Sequence, residues 1–98
     1  MILEWSVLAL GDRNAIFDYI EADSPLAAID IDDRIRETVE RMAEFPESGR
    51  PGRIRGTREL VISRTPYIAA YQIAGNAIRI LRVLHGAQEW PEKLSREK

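Results

Sequence analysis

The sequence has no cysteine, which removes disulfides and thiolate-held metals as sources of stability or chemistry. It has one histidine, His85, so the usual His/Cys zinc set cannot be assembled. Lysine occurs only twice, as Lys93 and Lys98 near the C-terminal end. No apolar run approaches the ~20 residues that cross a bilayer. Met1–Ser6 carries Glu4 and no basic start, unlike a signal peptide. Gly49–Gly56 contains glycines but not the GxxxxGK[ST] spacing of a phosphate loop. Internal repeats and low-complexity stretches are also missing. What remains is a 98-residue chain of ordinary globular composition, 45% hydrophobic. It is expected to form one domain over residues 1–98 with a polar tail from about residue 86, located in the reducing cytoplasm. No cofactor, metal, small-molecule ligand or membrane contact is expected.

Charge of one sign is scarce in each half. Residues 1–49 hold 12 acids and 4 bases, net −8, whereas residues 50–82 hold 7 arginines and the single acid Glu59, net +6. Residues 83–98 balance, which returns the overall −2. Both sets can be solvated surface; the sharper reading turns the arginine-rich part towards an anionic partner. Asp30, Asp32 and Asp33 read as a solvated helix face rather than a metal site.

Periodicity divides the chain. Met1–Ser6 alternates as a short strand. Leu8–Glu21 reads as a helix with Leu8, Ala15, Ile16, Tyr19 and Ile20 along one side, widened by Leu10 and Phe17. Asp23-Ser24-Pro25 ends it and caps a second helix reaching about Glu44. In that helix Ala28, Ile31, Ile35, Val39, Met42 and Phe45 recur at helical steps, and Glu37 stands four residues before Arg41 in the favourable order for an ion pair. Pro46–Gly56 is a loop. Strands follow at Arg58–Ser63, Pro66–Ala74 and Ala77–Leu84, the last two joined by Gly75-Asn76. A polar tail with one helical turn near Trp90 completes the chain. The order β-α-α-β-β-β is of the α+β class, a helical hairpin packed on an antiparallel sheet.

Strict alternation puts Ile78, Ile80 and Leu84 on one face of the last strand and Leu81 and Val83 on the other. A sheet apolar on both faces needs cover on both, and two helices cover one. Either the tail and long loop cover the second face or a partner protein does.

The segments Gly56-Thr57-Arg58-Glu59-Leu60-Val61, Thr65-Pro66-Tyr67, Tyr71 and Ile78-Arg79-Ile80-Leu81-Arg82-Val83-Leu84-His85 resemble the RelE/ParE toxin family. So do Leu3-Glu4-Trp5-Ser6, Ala9, Ile16, Tyr19-Ile20, Ser24-Pro25, Ala27-Ala28 and the loop Pro46 to Arg50. The resemblance spans nearly the whole chain. It implies a cytoplasmic toxin of a type II toxin–antitoxin pair, neutralised by a cognate antitoxin whose C-terminal segment docks as a helix in a groove or an added strand. Candidates for that docking are Leu10, Ile16, Phe17, Ile20, Arg58, Tyr67, Tyr71 and Arg79.

The family has two branches. One cleaves mRNA in the ribosome; the other, ParE-like, blocks DNA gyrase. RNA cleavage needs a base, an acid and cations for the phosphorane-like charge. In the nuclease reading the matching residues are Arg58, Arg82 and His85, with Glu47 as a partner for His85. Lysines are missing from the loop and sheet, and arginine, always protonated, does not replace a base. Where the pattern has a terminal tyrosine, the nearest aromatic is Trp90. A net charge of −2 is also unfavourable for work among ribosomal phosphates. The sequence therefore leans to the gyrase inhibitor, with an mRNA endoribonuclease on the ribosome as the alternative and an inactive homologue kept as a binding module as the third reading.

Overall fold

The computed structural model describes residues 1–94. The elements are β1 (Ile2–Trp5), α1 (Val7–Glu21), α2 (Pro25–Met42), a 3-10 turn (Pro46–Ser48), β2 (Arg50–Pro51), β3 (Arg58–Val61), β4 (Tyr67–Ala74) and β5 (Ala77–His85). Both helices begin at serines. Ser6 Oγ accepts the Ala9 N–H at 3.0 Å and donates to the Leu81 carbonyl at 2.8 Å. Ser24 Oγ accepts the Ala27 N–H at 3.2 Å, with Pro25 in the first turn. Each satisfies one of the donors that a helix start leaves without a partner.

The sheet has five strands in the order β1-β5-β4-β3-β2. The α+β architecture and the helical hairpin agree with the sequence reading, but the sheet is mixed: β1 lies parallel to β5, with Ile2 opposite Ala77 and Trp5 opposite Ile80. The parallel pairing follows from the hairpin, which returns the chain over the sheet before the remaining strands are laid down. Within the long loop, Arg50–Pro51 adds a short antiparallel strand to β3. The β4–β5 turn closes on Gly75 at φ 61°, a conformation glycine adopts without a Cβ clash. Arg64 takes φ 59° in the β3–β4 turn, the one described non-glycine residue with positive φ.

α1, α2 and one sheet face enclose the main core of Ala9, Ile35, Val39, Met42, Ile62, Ala69, Tyr71, Ile78, Ile80 and Val83. α2 contributes Ala28, Ile35, Val39 and Met42 as buried residues, as its periodicity predicts. Phe45 lies beyond the helix end and is exposed. α1 is shallower: Ala9 is its one buried residue, Ile16 packs against the core, and Ala15 and Tyr19 face out. The expected Glu37–Arg41 pair does not form; Arg34 pairs with Asp30, and Arg36 with Asp33 and Glu40.

Two expectations for the sheet are corrected. A bulge shifts the register between Ala70 and Tyr71, so Ala70 faces Arg82 and Tyr71 faces Ile80. The extra residue reverses the alternation beyond it: Val83 joins Ile78 and Ile80 in the main core, and Leu84 joins Leu81 on the opposite face. That opposite face is covered by the chain itself. Ala70, Leu81, Leu84 and Leu94 form a second cluster, with Ile54 of the loop and Trp90 of the tail packed against it. The loop and tail therefore supply the cover, and no partner is required there. The tail has no helical turn near Trp90; the indole N–H instead donates to the His85 carbonyl at 3.2 Å.

Candidate functional site

The loop from Pro46 to Arg53 is held on the sheet by three side chains. Tyr71, fully buried on β4, donates its hydroxyl to the Pro46 carbonyl at 2.7 Å and accepts the Gly49 N–H at 2.9 Å. Burial pushes the phenol up from its ordinary value, against the lowering effects of the Gly49 hydrogen bond and nearby Arg58. Arg58 on β3 donates to the Gly49 and Glu47 carbonyls at 2.8 and 3.4 Å. Glu59, only 3% exposed, accepts from the Arg53 backbone at 2.8 Å, from the Arg53 guanidinium at 3.1 Å and from Arg50 at 3.2 Å. Burial raises the Glu59 carboxyl, but these hydrogen bonds outweigh it and leave the group below its ordinary range. The Arg53 guanidinium also lies over the Trp90 ring, 3.6 Å from its centroid, which ties the tail to the loop.

Asp12 joins β5 to α1. It receives Arg82 through two hydrogen bonds of 2.8 and 2.9 Å and also accepts the Val83 N–H at 2.9 Å. The Asp12 hydrogen bonds raise Arg82 above its usual value, against the effect of burial. Arg13 spans three elements: two hydrogen bonds reach Asp32 of α2, and its guanidinium lies 4.7 Å from the centre of the Trp5 ring.

The residues of the nuclease reading do not converge. Arg58 is opposite Tyr71 and His85 opposite Tyr67. Four residues along β4 and two strand spacings separate them, roughly 16 Å between backbones. Glu47 lies at the Arg58 end, near Tyr71, away from His85. Arg82, on β5, is held by Asp12 of α1. His85 Nδ1 accepts the Ala87 N–H at 3.0 Å, and its ring meets Tyr67 edge-on at 5.6 Å between centroids.

The antitoxin candidates separate by exposure. Leu10 is exposed, while Phe17 and Ile20 are half-buried on α1. Ile16 is packed against the core. Arg79 is exposed on β5 and reaches Glu4 across the strand pair at 3.4 Å. Arg58 is committed to backbone carbonyls. Tyr67 is partly buried against the main core; burial, with nearby Tyr19 second, raises its phenol. Tyr71 is corrected as a docking residue: its ring is buried and both hydroxyl functions are used inside the chain. The sequence reading places Tyr19 on the apolar side of α1 but does not count as docking candidates the most exposed apolar side chains of the hairpin, Tyr19 at 78% and Leu26 at 79%, together with Val7 and Ile29. Tyr19 stands near the end of α1 and Leu26 in the first turn of α2. Leu26 falls outside the recurring apolar stripe of α2, and that misfit is the available signal. Glu59 and Asp12, both structural anchors, give no sequence sign of their roles.

Residues 3–90 match the family described as ParE toxin of type II toxin–antitoxin system, parDE. A Sinorhizobium fredii protein, Y4kP, whose name marks it as a toxin candidate, is 46% identical over 92 residues, covering 94% of this chain and 95% of that protein. Toxin RelE2 of Caulobacter vibrioides is 39% identical over 84 residues, covering 86% and 93%. A solved structure titled as a chromosomal ParDE toxin–antitoxin system from P. aeruginosa superposes with a TM-score of 0.76 at 32% identity, covering 85% of this chain and 92% of that one.

Proposed function

The chain belongs to the ParE toxin family of type II toxin–antitoxin systems, and from that premise we propose that it acts in the cytoplasm by blocking DNA gyrase and is neutralised by a cognate antitoxin docked on its helical hairpin. The dispersal of Arg58, Arg82 and His85 carries the choice of target. A ribonuclease must gather its base, acid and cations around one phosphate. Here Arg82 is spent on Asp12, Arg58 on carbonyls, and His85 Nδ1 on a backbone amide. The lysines that could deprotonate a 2′-hydroxyl are missing from the loop and sheet.

For the antitoxin, the support is exposed apolar surface on an otherwise charged hairpin. Leu10 and Phe17, seven residues apart, share one flank of α1. Tyr19, Leu26 and Ile29 project near the turn end. An amphipathic segment laid across this surface would bury side chains that now stand in water, the helix-in-groove mode of peptide recognition.

The name of the C. vibrioides relative, RelE2, keeps ribosome-dependent mRNA cleavage as the second reading. One preparation assayed for both activities separates them. Inhibition of gyrase supercoiling without cleavage of ribosome-bound message is expected. Discrete message cleavage that disappears in Arg58→Ala or His85→Ala would reverse the assignment, and absence of both activities with antitoxin binding intact would leave a binding module.

A further inference from the structure

The sheet ends in two edge strands, β1 and β2. β2 is guarded: it consists of the exposed Arg50 and of Pro51, which has no N–H to offer. Proline and exposed charge are the usual devices against edge pairing. β1 has neither. Ile2 donates its N–H to the Asn76 carbonyl at 2.8 Å, and Ser6 donates to the Ile80 carbonyl at 2.9 Å. Backbone groups alternate in direction along a strand, so Leu3 and Trp5 turn their N–H and C=O groups to the open side. No hydrogen bond meets them there among the described residues. The one charge on the strand, Glu4, is held by Arg79 of β5 at 3.4 Å. Apolar side chains continue the edge at both ends: Met1 and Ile2 are each 55% exposed, and Val7 is 71% exposed. A cleft of about 590 Å³, lined by Glu4, Trp5, Ser6, Val7 and Arg79, opens beside the end of the strand.

We infer that the β1 edge pairs antiparallel with the same edge of a second copy of the chain, centred on Glu4. The register follows from the strand itself. A two-fold axis perpendicular to the sheet keeps both helical hairpins on one side. It sets residues opposite each other only where their numbers are both odd or both even. Of those registers, the one that engages every outward group sets Leu3 against the second copy's Trp5, and Trp5 against its Leu3. Each is a pair that exchanges both of its hydrogen bonds. The pairing also brings Leu3 and Trp5 together on the face where both already pack against the main core. On the other face Glu4 meets its own counterpart, which is repulsive for bare carboxylates. Each Glu4 brings its Arg79, so the centre holds two carboxylates and two guanidiniums and carries no net charge. Beyond the strands the second copy's Ile2 falls opposite Ser6 and its Met1 opposite Val7, which puts exposed apolar side chains at the cleft. Hydrogen bonds, charge and apolar contacts are each matched by the chain's own sequence. That self-match selects a second copy over a foreign strand.

The inference stands apart from the antitoxin and from gyrase, because its test contains neither. Analytical ultracentrifugation of the full chain from about 1 to about 200 μM should show the mass rising from monomer to dimer and no further, since a two-fold contact closes on itself. Over the same range hydrogen exchange should slow at the amides of Leu3 and Trp5. It should stay unchanged at Ser6, whose N–H is already bonded inside the monomer. Glu4→Arg gathers four cations at the centre and Arg79→Glu four carboxylates; each should weaken the dimer at least ~10-fold. Glu4→Arg combined with Arg79→Glu returns the centre to neutrality and should restore the dimer to within about threefold of the parent. Thermal melts check that the variants are folded, since an exposed ion pair contributes little to the monomer. A mass that stays monomeric at the highest concentration, growth beyond a dimer, Leu3 and Trp5 amides indifferent to concentration, or failure of the exchanged pair to restore dimerisation would each overturn the proposal.

Discussion

Tyr71→Phe removes one oxygen and two interior hydrogen bonds. The Gly49 N–H loses its acceptor at a buried position, and an unsatisfied buried donor costs about 1–3 kcal/mol. The Pro46 carbonyl also loses its donor, at a site water can reach, for roughly 1 kcal/mol more. The sum is about 2–4 kcal/mol. For a domain of this size that corresponds to a fall in Tm of about 10–25 °C. Circular dichroism melts measure the fall, and hydrogen exchange should show amides of residues 47–53 losing protection while those of β5 keep it. A second substitution sharpens the reasoning. A Cβ at Gly49 would overlap the Tyr71 hydroxyl and two of its ring carbons. Gly49→Ala should therefore cost less when combined with Tyr71→Phe, where the hydroxyl overlap is gone. A Tm fall under about 3 °C for Tyr71→Phe, or additive effects of the two changes, would refute the view that this hydroxyl fixes the loop.

Four further outcomes rest on contacts already described. Asp12→Ala leaves Arg82, 20% exposed, without its counter-charge and should cost about 3 kcal/mol in urea unfolding. Glu59 is held below its ordinary value of 4.5. Its contribution is therefore fully present above pH ~4.5 and lost as pH falls through the depressed value; Glu59→Gln should flatten that acid limb of the stability profile. Leu94→Ala should cost about 2 kcal/mol and raise binding of an apolar dye to the sheet face formed by Ala70, Leu81 and Leu84. Leu26→Asp and Tyr19→Asp should change stability by no more than ~0.5 kcal/mol yet weaken antitoxin binding at least ~10-fold.

The sequence made α2, its Ser24 cap, the loop and the Gly75-Asn76 turn legible because each rests on local chemistry. Ser24-Pro25 and the steps from Ala28 to Met42 are short-range signals that tertiary packing had no reason to override. The features that escape a sequence reading depend on distant partners. The bulge at Leu81 is set by how β4 and β5 meet, and it exchanges the faces expected of Val83 and Leu84. Glu59 looks like any strand-surface acid until the loop brings Arg50 and Arg53 over it. Asp12 looks like a helix-surface acid until Arg82 and the Val83 N–H arrive from β5. The scatter of Arg58, Arg82 and His85 is invisible for the same reason: their positions along the chain do not say which strand register separates them.

Because β1 pairs only with residues 77–80, it cannot join the sheet until β5 has been made. A partly synthesised chain lacks Ile78, Ile80 and Val83 and cannot close its main core. Premature termination anywhere before β5 therefore yields an open polypeptide fit for proteolysis, and the folded shape exists only once β5 has been made.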